Sequence, residues 1–329
     1  MKNYNLLYKV ILPISTIVSS FSFLSTNTQL DHNLKSPSYR HKTHVLFSIA
    51  KNNYHNTSLH KESNTDLSKK IIQALSNKSK KTWKRLYPLI HLSSLNNTTQ
   101  STAIDIGCDH GLLTLGLATS LHTKYNKIIG VDSSIAALQS GILYNYAKIQ
   151  NTYPMNMLFE EITQNMIFDI RLGDGLGTST SLLNLTIDEE ESFDSIFISG
   201  MGINTMMDII QENLLPKVNC NEMYIQPVSS KPRKLIHLYD FLHTQGFVCR
   251  NEVISKVGKR FYISSCFLRG STMVMPGTFL LEQEVYSEYV AFHKRWVEKD
   301  REVVGFYHEG DLRWLHSDPV RYFVDSLQK

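Results

Sequence analysis

The sequence predicts an α/β protein built on an open, mostly parallel sheet. Short apolar runs alternate with helical patterns along the middle of the chain, and several of these runs end in turns that contain Gly and Asp. Such alternation is typical of strands joined by helical crossovers, which place parallel strands side by side. The 329 residues, 42% of them hydrophobic and 19% charged, are enough to bury a large core.

The first predicted strand, residues 102–106, leads into a Gly-containing turn directly before a helical pattern that starts at Leu112. In a parallel sheet, ligands bind beyond the carboxyl ends of the strands, where Gly allows close approach to the backbone and the next helix directs its N-terminus at the ligand. We therefore predict that Asp105, Gly107 and Cys108 bind a nucleotide-like cofactor. A turn that serves only structure is the alternative.

The second predicted strand, residues 127–132, ends in Asp132, an acid where a ribose diol is bound in such folds. The turn after the first strand lacks both the G-x-G-x-x-G pattern of dinucleotide sites and the helix-starting Lys-Ser or Lys-Thr of a P-loop. A cofactor without a phosphate chain therefore fits better, and S-adenosylmethionine is the commonest such ligand on a Rossmann-like sheet. Another nucleotide ligand remains the alternative.

The third predicted strand begins at residue 167 and ends in a Gly-Asp-Gly turn, where a carboxylate could accept a hydrogen bond from an adenine amino group. Gly173 and Asp174 are therefore predicted cofactor residues. The fourth strand ends in a glycine-bracketed turn whose first residue, Ser199, is a further candidate, and the fifth covers residues 221–227. Helices are predicted at residues 134–150, 204–214 and 232–245. Residues 247–257 and 260–268 are predicted to form a closing hairpin, which completes a seven-stranded sheet.

Four segments together resemble a known family, the bacterial tRNA (adenine-N1)-methyltransferases that modify adenine 22. The segments are Asp105-Ile106-Gly107-Cys108-Asp109-His110, Arg171-Leu172-Gly173-Asp174-Gly175-Leu176, Ser199-Gly200-Met201-Gly202, and Ile225-Gln226-Pro227 followed by a basic helix. The resemblance extends from about residue 83 to about residue 304. It implies a Rossmann-like, seven-stranded, S-adenosylmethionine-dependent methyltransferase sheet that acts on tRNA. At Cys108, Ile203 and Val228 the chain departs from the family, whose members usually carry Ser, Gly and Asn there.

The resemblance places the chemistry in two turns. The predicted catalytic residues are Asp109 and His110 after the first strand, and Gly200, Met201 and Gly202 after the fourth. Because a ring nitrogen carries its own lone pair, the enzyme can work mainly by aligning N1 of the adenine with the methyl donor, while a carboxylate such as Asp109 offsets the charge of the product. Asp109 could instead cap the helix that follows it.

Two other methylation chemistries lack their motifs in this sequence. Methylases of exocyclic amines carry an Asn or Asp, two prolines and an aromatic residue after the fourth strand, and carbon-5 methylases need a cysteine in a Pro-Cys turn; neither motif occurs. The four cysteines form no C-x-x-C pair, which predicts no metal site, no disulfide framework and a reducing compartment.

Basic segments, more than the modest net charge of +4, predict a polyanionic partner. A lysine-rich helix at residues 66–87 is expected to end before Pro88, and by resemblance it forms a lid beside the cofactor cleft. We predict that its Lys84 and Arg85 contact tRNA phosphates. Further predicted tRNA contacts lie at the end of the fifth strand and the start of the next helix: Gln226, Lys231, Arg233 and Lys234.

The first 64 residues differ in composition from the rest of the chain. Lysines at positions 2 and 9 precede an apolar run at residues 11–24, which is short for a membrane span and typical of a signal-peptide core. The tract that follows is rich in Ser, Asn, His and Lys and poor in acids, as in organelle transit segments. This order predicts a bipartite plastid leader, with a mitochondrial presequence or a disordered extension as alternatives.

We therefore predict three parts: a leader (1–64), a methyltransferase domain (65–270) and a small C-terminal helical extension (271–329) with an amphipathic stripe. The stripe contains Leu281, Val285, Tyr289, Phe292 and Trp296. The predicted activity is methyl transfer from S-adenosylmethionine to N1 of an adenine in tRNA, without an integral membrane partner. A methyltransferase for another RNA nucleotide or a small molecule, and a non-catalytic RNA-binding protein of the same fold, are the alternatives.

Overall fold

The computed structural model describes residues 64–95, 101–120, 125–152, 166–175, 179–183, 185, 192–211, 220–271, 277–280, 283–308 and 312. The predicted leader lies outside the described residues except for Asn64, and so does most of the chain after residue 308. All described residues belong to one compact unit, Glu62–Lys329. None of the helices described is long and apolar enough to cross a membrane.

One sheet organises the described part of the chain. Its strands are β1 (Ser101–Ile106), β2 (Tyr125–Asp132), β3 (Ile167–Gly173), β4 (Ser179–Ser181), β5 (Ser195–Ser199), β6 (Glu222–Gln226), β7 (Phe247–Val257) and β8 (Arg260–Arg269). Their order is β4-β3-β2-β1-β5-β6-β8-β7, with parallel pairing from β3 to β6 and antiparallel pairing at β4, β8 and β7. The predicted Rossmann-like sheet with its closing hairpin is confirmed.

The sheet has one strand more than the seven predicted. Strand β4 pairs with the end of β3, and Ser181 of β4 donates a hydrogen bond to Asp169 Oδ1 at 2.6 Å. The other oxygen of this buried carboxylate pairs with Arg171 Nε, also at 2.6 Å. The three-residue sequence Ser-Thr-Ser has no apolar alternation, so sequence periodicity gives no signal for this strand.

Side chains of the central strands alternate between two cores, one on each face of the sheet. Phe197 packs in one core, while its neighbours Ile196 and Ile198 pack in the other. The helices that cover the faces are α1 (Asn64–Lys78), α2 (Lys80–Ser94), α3 (Leu112–Thr119), α4 (Ile135–Leu138), α5 (Tyr144–Thr152), α6 (Ile203–Ile209) and α7 (Pro232–Thr244). Helices α1 to α3 contribute to the first core, and α6 and α7 contribute to the second. The result is a three-layer α/β/α arrangement.

The predicted lid helix at residues 66–87 is two helices, and the second does not end before Pro88. Pro88 lies inside α2, which continues to Ser94. Proline has no N–H, so the Lys84 carbonyl four residues earlier loses its usual helical donor. Gln226 Nε2 donates to the carbonyl of the next residue, Arg85, at 2.5 Å, and Leu89 and Leu92 bury the turn that follows. Tertiary contacts therefore compensate for the break that the local sequence predicts.

The predicted C-terminal helix is α8 (Tyr286–Val304), but its buried stripe differs from the predicted one. Tyr289, His293 and Val297 are buried, whereas Trp296 is 44% exposed. Tyr289 donates to the Ser230 carbonyl at 3.0 Å, and His293 Nε2 lies 3.2 Å from Ser230 Oγ. His293 is therefore a core residue with a hydrogen-bond partner, whereas the apolar pattern of the sequence assigns that core position to the neighbouring Phe292.

A π-helical turn at Gln139–Leu143 joins α4 and α5, and it packs on the loop that follows β1. Ile142 N donates to the Asp109 carbonyl at 3.2 Å. A Cβ atom on Gly141 would overlap that same carbonyl oxygen. Glycine at position 141 is therefore required for the close approach of the two backbones.

Gly141→Ala is expected to lower the free energy of unfolding by about 1–3 kcal/mol, because the added methyl group must displace backbone atoms. Chemical denaturation followed by circular dichroism measures this change. Gly202→Ala is the matched control, since φ is −67° at Gly202 and the nearest atom to an added Cβ is 3.8 Å away. Equal midpoints for the wild type and Gly141→Ala would contradict the packing argument.

Candidate active site

A cleft of about 930 Å³ opens at the carboxyl ends of β1, β2 and β5. Its walls come from the loop after β1, the end of β2, the turn after β5, the start of α2, and the turn between β7 and β8. The parallel register places the strand ends together at this edge, since Ile106 pairs with Val131 and Ile198 with Ile106. The cleft therefore occupies the position where α/β sheets bind ligands.

The loop after β1 is folded tightly against the end of β2. Gly107 N and Cys108 N both donate to the Val131 carbonyl, at 2.8 and 3.0 Å. Gly107, Asp109 and Gly111 adopt positive φ values of 72°, 44° and 66°. A Cβ on Gly107 would overlap Met201 from the turn after β5, so glycine here lets the two loops meet at the cleft.

Asp109 and His110 form a pair that faces the cleft. Asp109 Oδ2 lies 2.6 Å from His110 Nδ1, and the two side chains are 56% and 65% exposed. Asp109 is not the cap of the following helix: Gly111 occupies the cap position, and no side chain caps α3. The left-handed φ at Asp109 is one that Asp tolerates better than most residues. A carboxylate and an imidazole are thus presented together to whatever occupies the cleft.

Asp132 connects the end of β2 to the loop after β1. One carboxylate oxygen accepts from Asp109 N at 3.1 Å and the other from Ser134 N at 2.8 Å. Both hydrogen bonds are to an ionised group, which makes them stronger than neutral ones. The carboxylate lines the cleft, so the same group orients the loop and is available to a ligand.

Asp105 is the buried acid of the cleft. It is 2% exposed and accepts a hydrogen bond from Thr114 Oγ1 at 2.6 Å. Burial raises the pKa of its carboxyl to about 7, although the hydrogen bond from Thr114 opposes this shift. Cys108 is also buried, and burial raises the pKa of its thiol well above the usual range. Cys108 is therefore a wall of the cleft and not a nucleophile.

The turn after β5 brings two of its three predicted catalytic residues into the cleft. Gly200 and Met201 line it together with Ser199, whereas Gly202 is the N-cap of α6 and is not part of the lining. Gly200 has φ 76° and donates to the Gln226 carbonyl at 2.9 Å. Gly202 instead accepts from Met206 N at 3.0 Å, as the first residue of a helix does.

The predicted adenine-binding residues lie one strand farther along the same edge. Gly173 ends β3, which pairs with β2 through Asp132 and Leu172, and Asp174 is exposed. Neither Gly173 nor Asp174 belongs to the lining of the cleft. Their role in binding a cofactor stays a prediction.

Arg85, predicted to be a surface contact for RNA, is part of the cleft wall. Its guanidinium carbon lies 5.7 Å from the centre of the Tyr262 ring. Its terminal nitrogens lie 3.3 Å from the position that an added Cβ atom would take at Gly200. Burial lowers the pKa of this guanidinium, while the charges of Tyr262 and Asp109 raise it. Lys84, by contrast, is exposed and does not line the cleft.

Two of the other residues predicted to contact RNA have structural roles. Gln226 is fully buried and donates both to the Arg85 carbonyl and to Ser264 Oγ, and its contact with RNA stays a prediction. Arg233 pairs with Asp300 of α8 at 3.7 Å. Lys231 precedes α7, Lys234 is exposed, and neither lines the cleft.

Sequence reasoning missed several cleft residues. Asn145 of α5 is buried and donates to the His110 carbonyl at 2.8 Å, which supports the loop from behind. Tyr262, Lys259 and Arg260 reach the cleft from the hairpin. These residues lie 35 or more positions from the loop after β1, and no local motif links them to it.

A family model described as a methyltransferase domain matches residues 89–263, just over half of the chain. No curated protein matches the chain.

Three solved structures are similar to this chain in their fold. TrmK of M. capricolum, in complex with S-adenosyl-homocysteine, is 15% identical, with 72% of this chain and 96% of that chain covered and a TM-score of 0.48. The B. subtilis m1A22 tRNA methyltransferase TrmK is 16% identical, with 68% and 88% covered and a TM-score of 0.47. A protein of the NADB-Rossmann superfamily from Streptococcus agalactiae is 18% identical, with 66% and 84% covered and a TM-score of 0.44.

Proposed function

Because the chain belongs to the methyltransferase-domain family, we propose that it transfers a methyl group from S-adenosylmethionine to N1 of an adenine in tRNA, in the region of adenine 22. The observation that carries this proposal is the Asp109–His110 pair, with its oxygen and nitrogen 2.6 Å apart on the loop after β1. This pair, followed by the Ser199–Met201 turn in the same cleft, is the arrangement that the resemblance to the m1A22 enzymes implies.

Residues of the cleft fit S-adenosylmethionine, which when bound supplies an electrophilic methyl group on a sulfonium centre. The Asp132 carboxylate would accept from the ribose hydroxyls, and Gly107 lines the same cleft. Asp105 would accept from the amino group of the methionine part. A cationic amino group beside it would lower the pKa of this carboxyl, which is about 7 in its buried position, and so favour its ionised form.

The cleft also has room for a nucleoside beside the donor. Pockets for drug-sized ligands measure about 300–1,000 Å³, and this cleft, at about 930 Å³, lies at the upper end of that range. Binding in one such cleft would hold the base and the methyl donor in line, which is the main requirement for a nucleophile that already has a lone pair.

Asp109 suits the charge that methylation of N1 creates. The product is a cationic adenine, and a carboxylate beside it stabilises the developing charge in the transition state. His110, with Nδ1 at 2.6 Å from Asp109 Oδ2, would orient that carboxylate. Cysteine-based chemistry does not fit, because all four cysteines are buried.

Nucleoside mass spectrometry tests the proposal directly. The purified protein, incubated with S-adenosylmethionine and unmodified tRNA transcripts, is expected to produce 1-methyladenosine. A transcript with guanosine in place of the adenine at position 22 is the matched control and should remain unmodified. Formation of another methylated nucleoside would support methyltransferase activity and contradict the proposed target.

Asp132→Ala is expected to weaken S-adenosylmethionine binding by about 1.5–3 kcal/mol, because charge-assisted hydrogen bonds to the ribose are removed. Calorimetry measures the affinity. Asp132→Asn removes the charge but keeps one oxygen that can accept from a backbone N–H, either Asp109 N or Ser134 N, so it shows how much of the loss comes from the charge. Unchanged affinity in a folded Asp132→Ala protein would place the ribose elsewhere.

Asp109→Ala is expected to keep binding of S-adenosylmethionine and tRNA within a few-fold of wild type while turnover falls at least about 100-fold, as for an interaction made mainly in the transition state. Single-turnover methyl transfer with saturating substrates measures the chemical step. Asp109→Asn, which also tolerates the φ of 44°, controls for loop geometry and should be slow as well. His110→Ala should cost less. A near wild-type rate for Asp109→Ala would show that alignment alone supports the reaction.

We also propose that residues 1–64 direct the protein to an organelle, with a plastid favoured over a mitochondrion. Support comes from the apolar run at residues 11–24 and the acid-poor tract after it. A fluorescent reporter fused after residue 64 is expected to enter an organelle. A reporter that carries only residues 25–64 should fail to enter a plastid reached through the endomembrane system. Diffuse cytosolic fluorescence from the full leader would contradict the proposal.

A further inference from the structure

The rim of the cleft is cationic, in contrast to its acidic floor. Asp105, Asp109 and Asp132 contribute the carboxylates at the strand ends. At the rim, Lys81 projects from the start of α2, and Lys259 and Arg260 project from the turn between β7 and β8. All three cations are exposed, and in the described part of the chain none of them takes part in an ion pair.

The hairpin presents its two cations rigidly. Val257 pairs with Arg260 across a two-residue turn, in which Gly258 has φ 63° and Lys259 has a negative φ. Glycine with positive φ at the first central position is what a type II′ hairpin turn requires. The ladder below the turn runs along the whole length of β7 and β8. Lys259 and Arg260 are therefore held above the cleft by a paired strand and not by a long loop.

The start of α2 is joined to the hairpin inside the cleft. Arg85, one turn after Lys81 on α2, lies over the Tyr262 ring at 5.7 Å, and Tyr262 is two residues from Arg260. The N-terminal turn of α2 also lines the cleft, and the partial positive charge of a helix N-terminus adds to that of Lys81. Both basic elements thus line the same cleft, and the contact between Arg85 and Tyr262 connects them.

A nucleic acid strand is the substrate that fits an acidic floor below a basic rim. N1 of adenine lies on the Watson–Crick edge, so the base must be unpaired or turned out of a helix before an enzyme reaches it. When a base enters the cleft, the backbone on either side of it must pass across the rim. Phosphates at the rim would meet Lys81 and the two cations of the hairpin, and lysine and arginine bind phosphate oxygens.

We propose that Lys81 and the Lys259–Arg260 turn form a clamp for the RNA backbone that flanks the target nucleotide. This inference rests on the proposed RNA substrate. The sequence predicts RNA contacts at the start of α7, and the clamp assigns that role to the β7–β8 turn instead. Arg233 of α7 is already paired with Asp300, and α7 does not line the cleft.

Binding of RNA, measured separately from methyl transfer, tests the clamp. Fluorescence anisotropy with labelled tRNA at several salt concentrations gives the affinity and its salt dependence. Lys259→Ala/Arg260→Ala is expected to weaken tRNA binding at least 10-fold, and the slope of log K against log[salt] should fall by about 0.7 for each phosphate that is no longer neutralised. Lys81→Ala should weaken binding less, and the triple variant more than either. The affinity for S-adenosylmethionine should stay within twofold of wild type.

Lys294→Ala/Arg295→Ala is the matched control. These residues are an adjacent, exposed Lys-Arg pair on α8, outside the cleft lining, and their substitution removes the same charge. An equal decrease in tRNA affinity in this control, or wild-type affinity and salt slope in the hairpin variant, would overturn the clamp. A decrease in S-adenosylmethionine affinity in the hairpin variant would overturn it too.

The two proposals fail in different ways. If the hairpin variant binds tRNA more weakly but the wild-type protein forms a nucleoside other than 1-methyladenosine, the clamp stands and the proposed target does not. If 1-methyladenosine forms and the hairpin variant binds tRNA as the wild type does, the target stands and the clamp does not.

Discussion

The structure of the cleft depends on how the loop after β1 is held at the edge of the sheet. The Val131 carbonyl accepts hydrogen bonds from both Gly107 N and Cys108 N, and the Asp132 carboxylate accepts from Asp109 N. These bonds are possible because Gly107 and Asp109 adopt left-handed φ values. A neighbouring strand therefore fixes the loop, so the acids that face the ligand are oriented before any ligand binds, and ligand binding carries no entropic cost for ordering them.

A second constraint connects the basic rim to the sheet through Gln226. Its amide nitrogen donates to the Arg85 carbonyl on α2 and to Ser264 on β8, at 2.5 and 2.6 Å. This contact lies in the turn just before Pro88, whose missing N–H leaves the Lys84 carbonyl without a helical donor. The helix that carries Arg85 and Lys81 is thereby joined to the last strands by a buried polar contact. In a low-dielectric interior such a contact is costly to break, so it specifies one position for α2.

The parts of the fold that the sequence predicts are those set by local pattern. Apolar runs followed by Gly or Asp turns identify the strands, and because parallel strands end at one edge, Asp105, Gly107 and Asp132 could be assigned to one cleft before any coordinates. Contacts between distant segments could not be predicted in this way. In the sequence, Gln226 is a polar residue at the end of a strand, but in the structure it is buried and connects α2 to β8. Arg85 is one of several charges in a basic helix, but in the structure it lines the cleft. Pro88 shows the same limit, since its local preference to end a helix is overcome by packing in the core.

The arrangement of charges in the cleft matches the three charged groups that the proposed reaction brings together. The donor carries a positive sulfonium, methylation of N1 produces a positive base, and the RNA backbone is negative. A floor of carboxylates suits the first two, and a rim of lysine and arginine suits the third. Arg85 lies between these regions, where its positive charge would oppose a cationic product if it were free to approach the base. Its position over Tyr262 and its interaction with the charge of Asp109 hold it at the wall instead. Separation of the two charges, and not the net charge of +4, is therefore the feature of this cleft that suits the proposed methylation of a ring nitrogen in RNA.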